Sequence, residues 1–397
     1  MYERAQVETI RQRMAEAENP LIQVVTGPRQ TGKSTMLGQA LAGQAARSHF
    51  VSADDAIVPT TSWLQQEWQQ ARNLARAAGG ALLVVDEVQK VPHWPAAVKS
   101  LWDADRRDGV PLKVFLSGSS SLLLHHGLED SLMGRYELIR SPHWSFAECR
   151  EAFGFTLDDF LYFGGYPGAA RLHGDGARWL AYMRDAVIEP TISQDVLALE
   201  DVRKPALMRA VFRLGATYSG QELSYTKMLG QLQDAGNTVT LAHYLDLLGK
   251  AGMICTLEKY DAKELRRRRS SPRLMVFDTS LMTATSGTGR EAWLTEPDRR
   301  GHLVESAVGA LLLARAPAEG FEVFWWREGV REVDFVLRRG TDLAAIEVKS
   351  GRETGQGGMA AFLSEHPEAR RIVVGGGATG AVGIEEFLDG RYPLFWS

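Results

Sequence analysis

Short apolar runs, each ended by small or charged residues, punctuate the first 140 residues of the chain. Residues 21–26 read as a buried strand, and good helix formers follow over 34–45. A second run, Ala81, Leu82, Leu83, Val84 and Val85, ends in Asp86 and Glu87, and a third, over 113–116, ends in Ser117, Gly118, Ser119 and Ser120. Residues 136–140 read as a further extended stretch. The period then changes. Between 203 and 260, apolar residues recur at helical spacing, at Met208, Val211, Phe212 and Leu214 and again at Met228, Leu229 and Leu232. Asn237 and Thr238 can cap a third helix whose inner face is Leu241, Tyr244, Leu245 and Leu248, and a strand is predicted at 253–257. Nearer the C-terminus a helix runs from about His302 through Ala314, and two strands of alternating faces lie at 332–337 and 345–349.

The stretch between the first strand and its helix carries the sharpest chemistry. Gly27, Pro28, Arg29, Gln30, Thr31, Gly32, Lys33 and Ser34, with Thr35 next, match the full phosphate-binding P-loop pattern. The glycines let backbone N–H groups close around phosphate, Lys33 reaches the outer phosphates and Ser34 ligates magnesium. ATP and Mg2+ are therefore the expected ligands. Asp86 and Glu87, at the carboxyl end of a strand expected in the same parallel sheet, supply the rest: Asp86 to help hold magnesium, Glu87 to orient or activate the attacking water. Ser117 or Ser119 at the end of the third strand can sense the terminal phosphate, and the pattern does not choose between them.

Composition narrows the partners. The chain has 397 residues, 45% hydrophobic and 24% charged, which fits a soluble protein of two to four domains. No apolar stretch is long enough to span a bilayer, and the charged N-terminus has no signal core, so the expectation is a cytoplasmic protein without membrane contact. Cys149 and Cys255 lie far apart and suggest neither a disulfide framework nor a zinc site. A net charge of −4 confines any nucleic-acid contact to a local patch. The clearest patch is 263–273, where Lys263, Arg266, Arg267, Arg268, Arg269 and Arg273 face a single acid, Glu264. It reads as a solvated loop or as a contact to the phosphate backbone of DNA.

Further motifs follow in order: Gly134-Arg135, then Pro142, Ser145, Phe146 and Glu148, then Phe163, Gly164, Gly165, Tyr166, Pro167 and Gly168. With the P-loop, the Asp-Glu strand end and the Ser-Gly-Ser turn, this order resembles a widespread prokaryotic family of AAA+ ATPases that carry a C-terminal domain of unknown function. The resemblance covers nearly the whole chain. It implies an αβα nucleotide-binding core, a small helical lid beginning at the 163–168 signature, and Arg135 as an arginine finger reaching a neighbouring subunit's γ-phosphate. A surface arginine in a turn is the alternative. Tyr166 either approaches the nucleotide or fills an apolar gap. An inserted arginine would make hydrolysis depend on assembly, so a homo-oligomer, a hexameric ring among the options, is expected.

The helical region from 203, closed by the strand at 253–257, reads as a winged helix, with 238–250 in the place of the recognition helix. That helix shows His243 and Lys250 but few residues able to read base edges, so any DNA recognition would follow structure rather than sequence, and protein contact is the alternative. On the last strand Glu347 and Lys349 share a face, with Asp334 on the neighbouring strand and Glu305 on the helix. This set resembles the PD-(D/E)XK nuclease site, in which acids bind magnesium and lysine positions the attacking water. Such a site can also be retained as a scaffold or a structural ion network, and Glu347 with Lys349 can be an ordinary edge-strand charge pair.

The expected fold class is α/β: a P-loop AAA+ αβα core at 1–152, a helical lid at 153–202, a winged-helix domain at 203–262 and a restriction-endonuclease-like α/β domain at 263–397. Three functions follow: an oligomeric ATPase remodelling DNA or processing its branches, a STAND-like nucleotide-dependent signalling switch acting on a protein partner, or an ATPase-regulated magnesium-dependent nuclease.

Overall fold

Every residue of β1 (Ile22–Thr26) and β3 (Ala81–Asp86) is buried, which is why β3 reads as a continuous apolar run up to Asp86 and β1 departs from one only at Gln23 and Thr26. They belong to a wholly parallel five-stranded sheet of order β2-β3-β4-β1-β5, completed by β2 (Ser48–Ser52), β4 (Leu112–Gly118) and β5 (Tyr136–Arg140). Strand β2 escapes the sequence pattern because it is a half-buried edge with serines and a histidine in place of an apolar run. The computed structural model describes residues 1–16, 21–43, 45–118, 131–197, 202, 204–233, 236–261, 271–350, 357–377 and 379–396. It divides into two units, Met1–Pro142 and His143–Ser397.

In the first unit, alternate side chains of the central strands serve opposite faces. Val24, Leu83, Val85, Val114 and Leu116 pack with Leu64, Trp68 and Ala71 of α3 (Thr61–Ala78) and Val98 of α4 (Trp94–Asp108). Val25, Leu82, Val84 and Phe115 pack with Val7, Ile10 and Met14 of α1 (Ala5–Ala15) and Met36 and Leu37 of α2 (Lys33–Ala40). Each large apolar side chain so buried stabilises the fold by roughly 1.5–3 kcal/mol. The result is the expected αβα layering. Between α3 and α4 the buried Asp105 accepts from Trp68 Nε1 at 2.6 Å and Arg72 Nε at 2.5 Å, so its charge is paired where it leaves water. Helix α2 ends at Ala40 rather than 45, and Gly43, at φ 86°, turns the chain away.

The second unit opens with helices Phe146–Phe153 and Leu157–Phe163, each started by a reciprocal capping box, Ser145 with Glu148 and Thr156 with Asp159. Helix Gly176–Tyr182 continues into two wider-wound segments, Met183–Ile188 and Thr191–Val196. The Gly164-Gly165 pair has a concrete role. A β-carbon on Gly164 would lie 1.9 Å from Asp278 Oδ1, and Gly165 N–H donates to Asp278 Oδ2 at 2.6 Å, so the bare backbone wraps a buried carboxylate. Tyr166 is buried edge-on against His143, 4.7 Å between centroids, which makes it a packing residue.

Helices Pro205–Thr217, Tyr225–Gln231 and Thr238–Lys250 follow, the last capped by Asn237, which accepts from Thr240 N at 2.9 Å. Leu241, Tyr244, Leu245 and Leu248 are buried on its inner face, as the spacing predicts. Strands β6 (Ile254–Lys259) and β7 (Arg273–Val276) pair antiparallel, and an isolated bridge joins Glu222 to Arg273. This ribbon is continuous with a six-stranded mixed sheet of order β11-β10-β9-β8-β6-β7, formed with β8 (Glu322–Glu328), β9 (Arg331–Arg339), β10 (Asp342–Lys349) and β11 (Arg370–Gly375). Phe324, Trp326, Val333, Val336 and Ala345 on one face pack with Met359 and Phe362 of helix Gly357–Glu365. The long helix Pro297–Glu319 presses against Met275 and Phe335 at Gly309, where a β-carbon would come within 2.6 Å of Met275 Sδ. Among the described residues no helix is long and apolar enough to cross a membrane, and Cys149 and Cys255 are free thiols.

Candidate nucleotide site

Strands β1, β3 and β4 run parallel, with Thr26 opposite Gly118 and Val85 opposite Leu116, so their carboxyl ends open on one edge of the sheet. The P-loop, Asp86 and Ser117 all leave from that edge. Gly27 is required there because a β-carbon would sit 2.0 Å from the Ser141 carbonyl oxygen, and Gly32 takes φ 93° to start α2 directly at Lys33. Gln30 and Glu87 also have positive φ, 60° and 52°, an uncommon conformation outside glycine that marks both turns beside the site. Lys33 is buried, its Nζ donating to the Gly27 carbonyl at 3.1 Å and the Pro28 carbonyl at 2.6 Å. Arg29, Ser34 and Thr35 keep partial or full exposure at the loop's rim.

Asp86 is the convergence point. Ser34 Oγ donates to its Oδ2 at 2.5 Å, and Ser117 Oγ donates to its Oδ1. Both carboxylate oxygens are thereby oriented, and the Ser117 hydroxyl bears on Asp86 instead of standing free to meet a phosphate. Ser119, the other serine proposed as phosphate sensor, lies outside the described residues. A hydroxyl and a carboxylate brought this close are the hard oxygen donors that magnesium prefers, so Ser34 and Asp86 fit that ion. Glu87 is held by Gln89, whose Nε2 donates to Glu87 Oε2 at 2.6 Å.

Arg135 stands elsewhere. It precedes β5 at the amino end of the sheet, and its backbone carbonyl accepts from Ile22 N at the start of β1, so the length of the strands separates it from its own P-loop. Its side chain pairs with Asp103, Nε donating to Oδ1 at 3.0 Å, and its guanidinium lies 5.9 Å from the Trp102 ring centroid. A shallow depression along the β5 edge, lined by Arg13, Met133, Gly134, Tyr136 and Glu137, adjoins it and holds none of the phosphate-binding residues.

Arg4 is a participant that the sequence pattern did not signal. Only 3% exposed, it sends Nη1 to the Thr31 carbonyl at 3.3 Å, Ser141 Oγ at 3.0 Å and the Pro142 carbonyl at 3.1 Å. Ser141 Oγ in turn donates to Thr31 Oγ1 at 3.1 Å, and Thr31 Oγ1 to the Pro28 carbonyl at 3.1 Å. The start of the chain and the end of β5 thus brace the P-loop from behind.

In the second unit Glu305, Asp334, Glu347 and Lys349 also come together, but around an arginine. Lys349 Nζ pairs with Glu347 Oε1 at 2.6 Å, and Asp334 Oδ2 accepts from Val348 N at 2.7 Å. Arg273 Nη1 donates to Glu305 Oε1 at 3.0 Å and stands 4.0 Å from Asp334 Oδ1, while Nη2 pairs with Glu332. Burial, then the neighbouring Asp334 charge, pushes the Glu305 carboxyl up to about 8 against the pull of Arg273; burial likewise raises Asp334. The sequence pattern puts Arg273 at the end of the basic patch. It is instead 2% exposed, because β7 carries it into the sheet, and it contributes nothing to a solvent-facing surface. Arg266, Arg267, Arg268 and Arg269 lie outside the described residues.

Residues 19–150 match a family model described as an AAA domain, which supports an AAA-type ATPase. Residues 154–292 and 300–385 match two domains of unknown function, DUF8612 and DUF4143. Two relatives, uncharacterised proteins of Mycobacterium bovis and Mycobacterium tuberculosis, are each 29% identical over 310 residues, 77% of this chain. The chain spans 64% of the length of these relatives. The structure of C. elegans PCH-2 aligns over 36% of this chain and 42% of its own, at 14% identity and a TM-score of 0.27, too loose a likeness to carry anything over.

Proposed function

We propose that this chain is an ATP-hydrolysing AAA-type protein that acts on DNA as a homo-oligomer. The convergence of Ser34 and Ser117 on Asp86 at the mouth of a P-loop carries the hydrolytic part of this reading. When ATP binds, Lys33 exchanges the Gly27 and Pro28 carbonyls for phosphate oxygens and the loop N–H groups close on the phosphates. Ser34 and Asp86 would hold magnesium, which neutralises charge building on the phosphates. Glu87 takes a proton from water as the new oxygen–phosphorus bond forms on the γ-phosphate and the bond to ADP breaks. Arg135, distant from its own loop, is suited to the active site of a neighbouring copy, where a guanidinium contributes roughly 10³–10⁵ in rate. Breaking a surface pair with Asp103 would cost about 1 kcal/mol or less.

Support for DNA comes from the order of three helices and an antiparallel ribbon, that of a winged helix, and from the Arg266–Arg269 run that lies in sequence between the two ribbon strands. A second reading, a nucleotide-dependent switch acting on a protein partner, draws on helix Thr238–Lys250. It exposes Val239 and His243, and Lys250 is paired with Asp246 at 2.9 Å, leaving little with which to read or grip DNA.

Turnover measured at low salt with and without single-stranded, duplex and junction DNA separates the two. A DNA-acting ATPase shows turnover raised several-fold by at least one DNA, and Glu87→Gln abolishes it. Equal turnover with all DNAs and no measurable DNA binding rejects the first reading in favour of the switch.

A further inference from the structure

The cluster around Arg273 combines two arginines, a lysine and five acids drawn from β7, β8, β9, β10, helix Pro297–Glu319 and Glu222, far more than a single charge pair needs. Arg273 from β7 reaches Glu305 on helix Pro297–Glu319 and both Asp334 and Glu332 on β9. Its Nη1 also donates to the Asp334 carbonyl at 3.1 Å, and its guanidinium carbon lies 5.1 Å from the Trp325 ring centroid. Arg327 closes the outer side, pairing with Glu332 Oε2 at 2.7 Å and Glu222 Oε2 at 2.6 Å.

We propose that Arg273 is the resident cation of this cluster, its guanidinium taking the place that a divalent metal would need, so that the four residues of the nuclease-like pattern form an ion-paired joint and not a metal centre. The donor set does not fit magnesium. A metal would need free carboxylate oxygens and room for several waters. Here one Glu305 oxygen faces Arg273, one Asp334 oxygen accepts a backbone N–H and one Glu347 oxygen binds Lys349. Space is short as well: a β-carbon on Gly220, at φ 78°, would lie 3.1 Å from Glu305 Oε1, so the backbone there already roofs the acid. Among the described residues no three acidic, histidine or cysteine side chains are grouped to hold a metal. A dication brought into the cluster would meet the buried guanidinium at close range and be repelled by it. What the acids hold instead is the ribbon: through one side chain, β7 is fixed to the helix and to β9.

Mn2+ binding to the full chain without nucleotide, counted by electron paramagnetic resonance, tests this. Wild type and Glu347→Gln are expected to bind the same number of ions, since any background from the P-loop unit is common to both. Arg273→Gln is expected to gain about one ion per chain, lost again in the Arg273→Gln, Glu347→Gln double variant. The proposal is overturned if Glu347→Gln removes an ion from the wild-type protein, or if a folded Arg273→Gln protein gains none. Should Arg273→Gln fail to fold, the wild-type and Glu347→Gln counts decide alone: equal counts uphold the proposal and a lost ion overturns it.

Discussion

Replacing Arg4 by alanine removes the brace behind the P-loop without touching a residue of the loop itself. Nη1, with two hydrogens for its three acceptors, accounts for two charge-assisted bonds to the loop and its brace, each worth about 1.5–3 kcal/mol. Water entering the vacated space recovers part of this, leaving a net loss of about 3 kcal/mol. For a unit of this size such a loss lowers Tm by roughly 10 °C. The functional effect is separate. With Thr31 no longer tied to Arg4, the loop must order itself on binding, which weakens ground state and transition state alike. We expect ATP affinity to fall about tenfold while kcat changes less than threefold, with Arg4→Lys in between. Nucleotide titration and steady-state kinetics, both run well below the melting transitions, give these values. Val98→Ala, in the core on the other face of the sheet from α2, supplies the control: it costs about 2 kcal/mol and leaves nucleotide affinity unchanged. An Arg4→Ala protein that is folded and binds ATP as wild type does would refute the reasoning.

Two further outcomes are expected. Ser117→Ala frees one Asp86 oxygen and should lower kcat about tenfold, equivalent to about 1.4 kcal/mol, with little change in nucleotide affinity; an unchanged kcat would show that Asp86 needs no such orientation. Burial pushes the Asp278 carboxyl from 3.8 up to about 6, against three donors from Gly165 and Ser280 that lower it. The folded protein therefore binds that proton more tightly than the unfolded chain, and about 3 kcal/mol of stability present below pH 4 is lost as pH rises to about 6. Asp278→Asn should flatten this part of the pH dependence in urea unfolding, and an unchanged slope would discount it.

The parts whose chemistry is local can be read directly from the chain. Gly27 to Ser34, Asp86 and the alternation that puts Glu347 and Lys349 on one face are written in neighbouring residues, and backbone periodicity turns those spacings into geometry. The buried runs of β1 and β3 are legible for the same reason. What stands opposite each of these groups emerges only on folding. Arg4 reaches Ser141 across 137 positions, Ser117 reaches Asp86 across 31, and Gly165 reaches Asp278 across 113. Arg273 shows why no local pattern could supply these pairings. In sequence it closes a basic run and looks solvated, yet all four residues of β7 are buried, so alternation gives no inward face to read. Its partners come from β9, separated from β7 by β8 and β6, and from a packed helix, and their convergence exists only once the sheet has formed and the cost of burying each charge is met by another.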